Sequence, residues 1–172
     1  MFKRLTQNLR DMGTIKTLCE AAERIARANH QERPGAEHFV LAALELPDGS
    51  AGRIFGRLGL DGADFARALQ ETHEAALSVA GVGADQIEGS ERDVPPLAEP
   101  KGPYAAAPSG AAVLQGLAAL RKHGVSGPLS GAHVLEVVST MQHGTTARAF
   151  RLLGRDPASV AAAVRTEMTL AA

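Results

Sequence analysis

Tryptophan is absent from the 172 residues, tyrosine occurs once and phenylalanine five times. An interior must therefore be closed mainly by alanine, leucine, valine and isoleucine, small side chains that suit closely approaching helices. One cysteine, Cys19, excludes an intramolecular disulfide and any cysteine-built metal cluster. It falls in an apolar helical pattern, where a small buried thiol is expected rather than a reactive one. Charge of one sign is also missing. The 18 basic and 19 acidic residues leave a net charge of -1, too weak a field to steer a polyanion or an acidic lipid surface, so neither nucleic acid nor membrane is an expected partner. No stretch approaches the roughly 20 apolar residues that span a bilayer. Residues 1–10 lack the uninterrupted apolar run of a signal peptide, and a cytoplasmic protein is expected. Two motifs are absent as well. Without Gly-x-x-x-x-Gly-Lys-[Ser/Thr] the chain has no cradle for nucleotide phosphates, and without His-Glu-x-x-His the six histidines offer no zinc framework. No metal and no cofactor are expected. Cys19 paired with His38 would be the one route to a nucleophile, but no third orienting group is evident, and an enzyme is not expected.

What the chain does contain is a pattern that returns. Placing His38 on His133 also places Gly49 on Gly144, Arg53 on Arg148, Phe55 on Phe150, Leu58 on Leu153, Gly59 on Gly154 and Asp61 on Asp156. These are seven identities in twenty-four ungapped positions, with one offset of ninety-five residues. The same register carries Leu18 onto Val113, Ala22 onto Leu117, Ile25 onto Leu120, Phe65 onto Val160 and Leu69 onto Val164. An internal repeat is thereby indicated, with residues 1–80 and 108–172 as its copies and 81–107 as a linker rich in proline and glycine. Each copy is near the lower size limit for a domain that folds alone, so the two are expected to share one core and form one domain.

Within each copy the apolar spacing is helical. Ile15, Leu18, Ala22 and Ile25 share one face of a helix expected to begin near Thr14. Pro34 and Gly35 punctuate, and a second helix is expected from about Glu37. The Pro47-Asp48-Gly49 turn follows, then a short helix with Ser50 as N-cap and Gly59 as its stop. Asp61 opens a fourth helix through Phe65 and Leu69. The second copy repeats the plan with Pro108 in a first helical turn, a start at Ser130, a break at Gly144, and Asp156-Pro157 opening the last helix. Neither copy shows the alternation of a half-buried strand, so the fold class is all-α: two tandem four-helix repeats.

Glu37 lies at a helix start, where the macrodipole favours a carboxylate. His38 and His133 hold one position twice, and a ring that satisfies backbone groups at the helix start is favoured over a metal ligand. Arg53 and Arg148 recur close to Asp61 and Asp156, and ion pairs across the turn between the third and fourth helices are their simplest role. Val82-Gly83-Ala84-Asp85-Gln86 superficially has the look of a phosphate loop, but it lacks the third glycine and follows a helix.

The runs Gly35-Ala36-Glu37-His38-Phe39-Val40-Leu41, Gly49 to Phe55 and Leu58-Gly59-Leu60-Asp61, with their second copies, resemble the duplicated N-terminal domain of the Clp unfoldases, the ClpC branch above all. Phe2, Arg4 and Thr6 match the Phe-x-Arg-x-Thr opening of that branch. The resemblance spans nearly the whole chain apart from the linker. It implies a pseudo-twofold pair of Clp-N repeats without ATPase modules, a non-catalytic module that binds peptides, client proteins or adaptors and delivers them to, or sequesters them from, Clp unfoldase and protease components. It further implies that Glu37 recognises the guanidinium of phosphoarginine-bearing proteins, and that Phe2 and Tyr104 line an apolar groove used by adaptors and cyclic peptides. The chain departs from the family pattern at Ala36 and Gly131, where the family has threonine, and at Ala132, where the second glutamate would stand. A plain helix-start role for Glu37, and a core-edge role for Phe2 and Tyr104, are the alternatives read from the residues. A structural or self-assembling helical protein without client recognition is the alternative function.

Overall fold

The structure, a computed structural model, describes residues 2–79, 97, 104–125 and 127–171, with side chains from Leu9 onward. Among the described residues there are eight α-helices and no strand. They are α1 (Phe2–Ala28), α2 (Ala36–Leu44), α3 (Ser50–Arg57), α4 (Gly62–Val79), α5 (Pro108–Lys122), α6 (Gly131–Ser139), α7 (Thr145–Leu152) and α8 (Pro157–Ala171). Helices α2 and α6 are each nine residues long and α3 and α7 each eight. None of the described helices is long and apolar enough to cross a membrane.

Helix boundaries follow local chemistry. Pro108 occupies the first turn of α5, where its missing N–H would have had no partner. Asp61 caps α4 reciprocally: the Asp64 N–H donates to Asp61 Oδ1 at 2.8 Å and the Asp61 N–H to Asp64 Oδ2 at 3.1 Å. Asp156 accepts the Ser159 N–H at 2.7 Å at the start of α8. After α3 and α7 the chain reverses through Gly59 and Gly154, at φ +67° and +68°, a left-handed turn that a side chain would strain.

Two sequence expectations change. Helix α1 starts at Phe2 rather than near Thr14. No proline interrupts residues 2–13, and Leu9 and Met12 are exposed, so neither continues the apolar face that Ile15, Leu18, Ala22 and Ile25 mark. Asp11 ties it down instead, its Oδ1 accepting from Arg121 at 2.6 Å and from the Leu129 N–H at 3.0 Å. Ser50 is the first residue of α3 and not its cap; Gly49 holds the N-cap place. The Ser50 hydroxyl donates to Asp48 and its oxygen accepts the Ala132 N–H at 2.8 Å, joining α3 to α6. The expected linker, 81–107, falls mostly outside the described residues.

One cluster of buried side chains draws on both halves of the chain. Helix α2 packs against α1, α5 and α6, while α4 lies on α7 and α8 lies on α3, so each half closes over the other. At the centre Phe65 meets Phe150 with ring centroids 4.8 Å apart, and Phe55 stands edge-on to both. Close approach elsewhere depends on small residues. A Cβ on Gly131 would lie 2.8 Å from Ala51 Cβ and 2.9 Å from the Ala43 carbonyl oxygen.

Candidate functional site

Of the residues singled out by the sequence, Glu37, His38 and His133 lie at the N-termini of α2 and α6. In each helix the third residue is a histidine whose ring turns back on the chain. His38 Nδ1 accepts the Gly35 N–H at 2.9 Å, and His133 Nδ1 accepts the Ser130 N–H at 3.1 Å with the Ser130 hydroxyl 2.8 Å away. His38 is wholly buried, and its Nε2 meets no hydrogen-bond partner among the described residues. Burial pushes both imidazoles below their ordinary value, against the nearby Glu37 carboxylate for His38 and reinforced by the Arg121 charge for His133. Two neutral rings that occupy their acceptor nitrogens with backbone are seats for helix starts. Among the described residues no group of three or more His, Cys, Asp or Glu side chains is arranged to hold a metal ion.

Glu37 is only 7% exposed. Its carboxylate folds over Gly35, lies 3.5 Å from His38 Nδ1, and accepts from the Thr146 hydroxyl on α7 at 3.4 Å. The neighbouring helix-start donors are also engaged. The Ala36 N–H goes to Ser109 Oγ at 3.1 Å, the Gly131 N–H to Asp48 Oδ1 at 3.2 Å, and the Ala132 N–H to Ser50. A guanidinium or a phosphate arriving here would displace protein partners rather than fill vacant positions.

Tyr104 lies elsewhere, half-exposed against α1, with its phenol beside the Cys19 thiol. Burial is the main reason the phenol is pushed up, and burial with the charges of Glu23 and Glu20 raises the thiol. A raised thiol is the opposite of an activated nucleophile. His38 Nδ1 is engaged with the Gly35 N–H, and Cys19 lies beside Tyr104, so the Cys19–His38 pairing considered from the sequence is not formed. No hydrogen bond or ion pair joins Tyr104 to Glu37, and the Phe2 side chain lies outside the described residues.

The two arginines also differ from expectation. Arg53 pairs with Glu167 of α8, Nε to Oε1 at 2.5 Å, and Arg57 reaches Oε2 of the same carboxylate at 3.2 Å. Asp61 cannot serve Arg53 because it is committed to capping α4. Arg148 is exposed and its guanidinium makes no hydrogen bond or ion pair among the described residues, and Asp156 caps α8. Glu167, Asp48, Thr146 and Asp11 were not singled out as site residues from the sequence, and Ser50 was read only as a helix cap. Of the first four only Asp48 carried a signal, as part of a Pro-Asp-Gly turn, and that signal spoke of the turn and not of the helix it seats.

No family model matches the chain, and no curated protein matches it.

Proposed function

We propose that the chain is a non-catalytic protein-binding module of the Clp N-terminal kind: two tandem Clp-N repeats about a pseudo-twofold axis between α2 and α6. The observation that carries this reading is the recurrence of one helix-start device. A histidine in third position returns its Nδ1 to the chain just before α2 and again just before α6. Around it the helix lengths and the left-handed glycines recur at the same offset. The packing supports the same axis, since α4 lies on α7 as α8 lies on α3.

In this reading the module acts in the cytoplasm and captures adaptors or client proteins, for delivery to Clp unfoldase components or for sequestration from them. Its binding face is the side where Tyr104 crosses α1, near the helix that begins with Phe2. Phosphoarginine at Glu37 would require Thr146 to give up the carboxylate, which makes the Tyr104 side the better-founded face. The test is retention of Clp subunits by the immobilised chain. Wild type should retain them, and a Phe2→Ala/Tyr104→Ala variant should not. Equal retention by both, or by neither, removes this reading. Concentration-dependent mass in solution without any retained partner would favour self-assembly instead.

A further inference from the structure

Arg53 and Arg148 are each the fourth residue of an eight-residue helix, and their surroundings differ in one respect that chemistry can use. Around Arg53 the face is complete: α8 supplies Glu167, its eleventh residue, and that buried carboxylate holds both Arg53 and Arg57. Around Arg148 the face is open. The eleventh residue of α4 is Thr72, whose hydroxyl donates to its own helix, to the Ala68 carbonyl at 2.7 Å. In the place of Arg57, α7 ends with Leu152, 56% exposed.

A groove of about 590 Å³ results between α4 and α7. Thr72, Ala75, Ala76 and Val79 line one wall, and Arg148 and Leu152 the other. The α4 residues follow a 3, 1, 3 spacing, a stripe of two helical turns roughly 10 Å long. Two alanines at its centre leave room for a backbone to come close, while Val79 at its end is 91% exposed. Arg151 also lines the groove, but one of its nitrogens is already spent on the Gln142 carbonyl at 2.6 Å. The groove thus combines an apolar floor with one guanidinium that, among the described residues, lacks the carboxylate its counterpart possesses.

We propose that this groove docks an amphipathic helix of a partner protein, with an apolar stripe against Ala75, Ala76, Val79 and Leu152 and an acidic side chain paired with Arg148. The length of the stripe suits two turns of helix, and helices seat in such grooves through apolar anchors at this spacing. Charge complementarity selects the acid, because a guanidinium beside an apolar floor is where a charge-assisted, two-pronged hydrogen bond to a carboxylate gains most. This site lies apart from the Tyr104 face and stands whether or not that face binds Clp components.

The experiment is fluorescence anisotropy on the full chain with a labelled helical peptide of alanine, leucine and glutamate, beside versions carrying glutamine or lysine in place of glutamate. The glutamate peptide should bind at least tenfold more tightly than the other two. Arg148→Glu should abolish that preference and transfer it to the lysine peptide, while Leu152→Asp should weaken all three. Tyr104→Ala should leave binding unchanged. The Arg148 guanidinium is exposed and has no partner among the described residues, so its reversal leaves the fold intact, to be checked by the helical circular dichroism. Equal affinity for the glutamate and glutamine peptides, or unchanged affinity in Arg148→Glu, would overturn the proposal. So would loss of binding in Tyr104→Ala, or a concentration-dependent mass that Leu152→Asp removes, which would assign the groove to a second copy of the chain.

Discussion

At the scale of single residues, the two histidines are the most consequential side chains, because each holds a backbone N–H with the nitrogen that a proton would take. Burial lowers both below the ordinary imidazole value of 6.5. The unfolded chain therefore binds protons more readily than the fold, and stability falls as pH falls. The contribution is full above about pH 6.5 and is lost as pH drops through the folded values. Charged groups around the rings modify this in opposite ways: Glu37 raises and His73 lowers His38, while Arg121 lowers and Asp48 and Asp11 raise His133. Thermal unfolding should show stability dropping by about 1–2 kcal/mol between about pH 7.5 and about pH 5.5, a range set by the worth of one pKa unit. A His38→Gln/His133→Gln variant, whose amide oxygens can still accept the Gly35 and Ser130 N–H groups, should show a flatter profile. An identical slope in wild type and variant would remove the rings from the account. The position of these histidines was legible in the sequence because they recur. The role of Glu37 was legible only as far as the helix start, since Thr146 comes from another helix at a distance no local pattern encodes.

At the scale of helices, α3 and α8 are joined by one buried carboxylate. Hydrogen bonding from Arg53 is the first cause of the low value of Glu167, opposed by burial and assisted by Arg57. The sign is that of a depressed acid: the stabilisation is present above the ordinary 4.5 and is lost as pH falls through the folded value. Glu167→Gln should cost about 1.5–3 kcal/mol, the range for hydrogen bonds to charged groups. It should also remove an acid limb that lies below the histidine limb; a loss under about 0.5 kcal/mol, of exposed-pair size, would show the arginines to be bound too loosely to matter. The contact between α2, α3 and α6 is limited by size instead. Gly131→Ala would press a methyl onto Ala51 and the Ala43 carbonyl, and denaturant unfolding should register about 1–3 kcal/mol of overpacking. Gly52→Ala, with nothing within 4 Å of its new Cβ, should instead stabilise by about 0.5–1 kcal/mol through helix propensity. Helix positions were legible here because caps, prolines and glycines write them locally. The start of α1 was not, because exposed Leu9 and Met12 break the apolar rhythm, and buried Asp11 bonds to residues more than a hundred positions away.

At the scale of the whole molecule, the scarcity of aromatics makes the halves depend on each other. Phe55 and Phe65 from the first half close around Phe150 from the second, and α4 and α8 each complete the packing of a helix in the opposite half. The recurrence of sequence positions was legible because its offset is constant, whereas this exchange was not, since an apolar face has the same pattern whichever half covers it. The exchange has a thermodynamic consequence. With one shared cluster of buried side chains, unfolding should be a single cooperative transition, as in small domains that populate no intermediate. The chain provides its own second reporter, because without tryptophan its fluorescence comes from one tyrosine. Tyr104 sits against Cys19, between the first half and the start of α5. Urea curves followed by helical circular dichroism and by Tyr104 fluorescence should coincide, and residues 1–80 alone should lose the sharp transition, because α2 and α4 would expose the faces that α6 and α7 cover. Two separated transitions, or a cooperative transition in the isolated first half, would mean that each half holds a core of its own and that the interlocked packing adds little to stability.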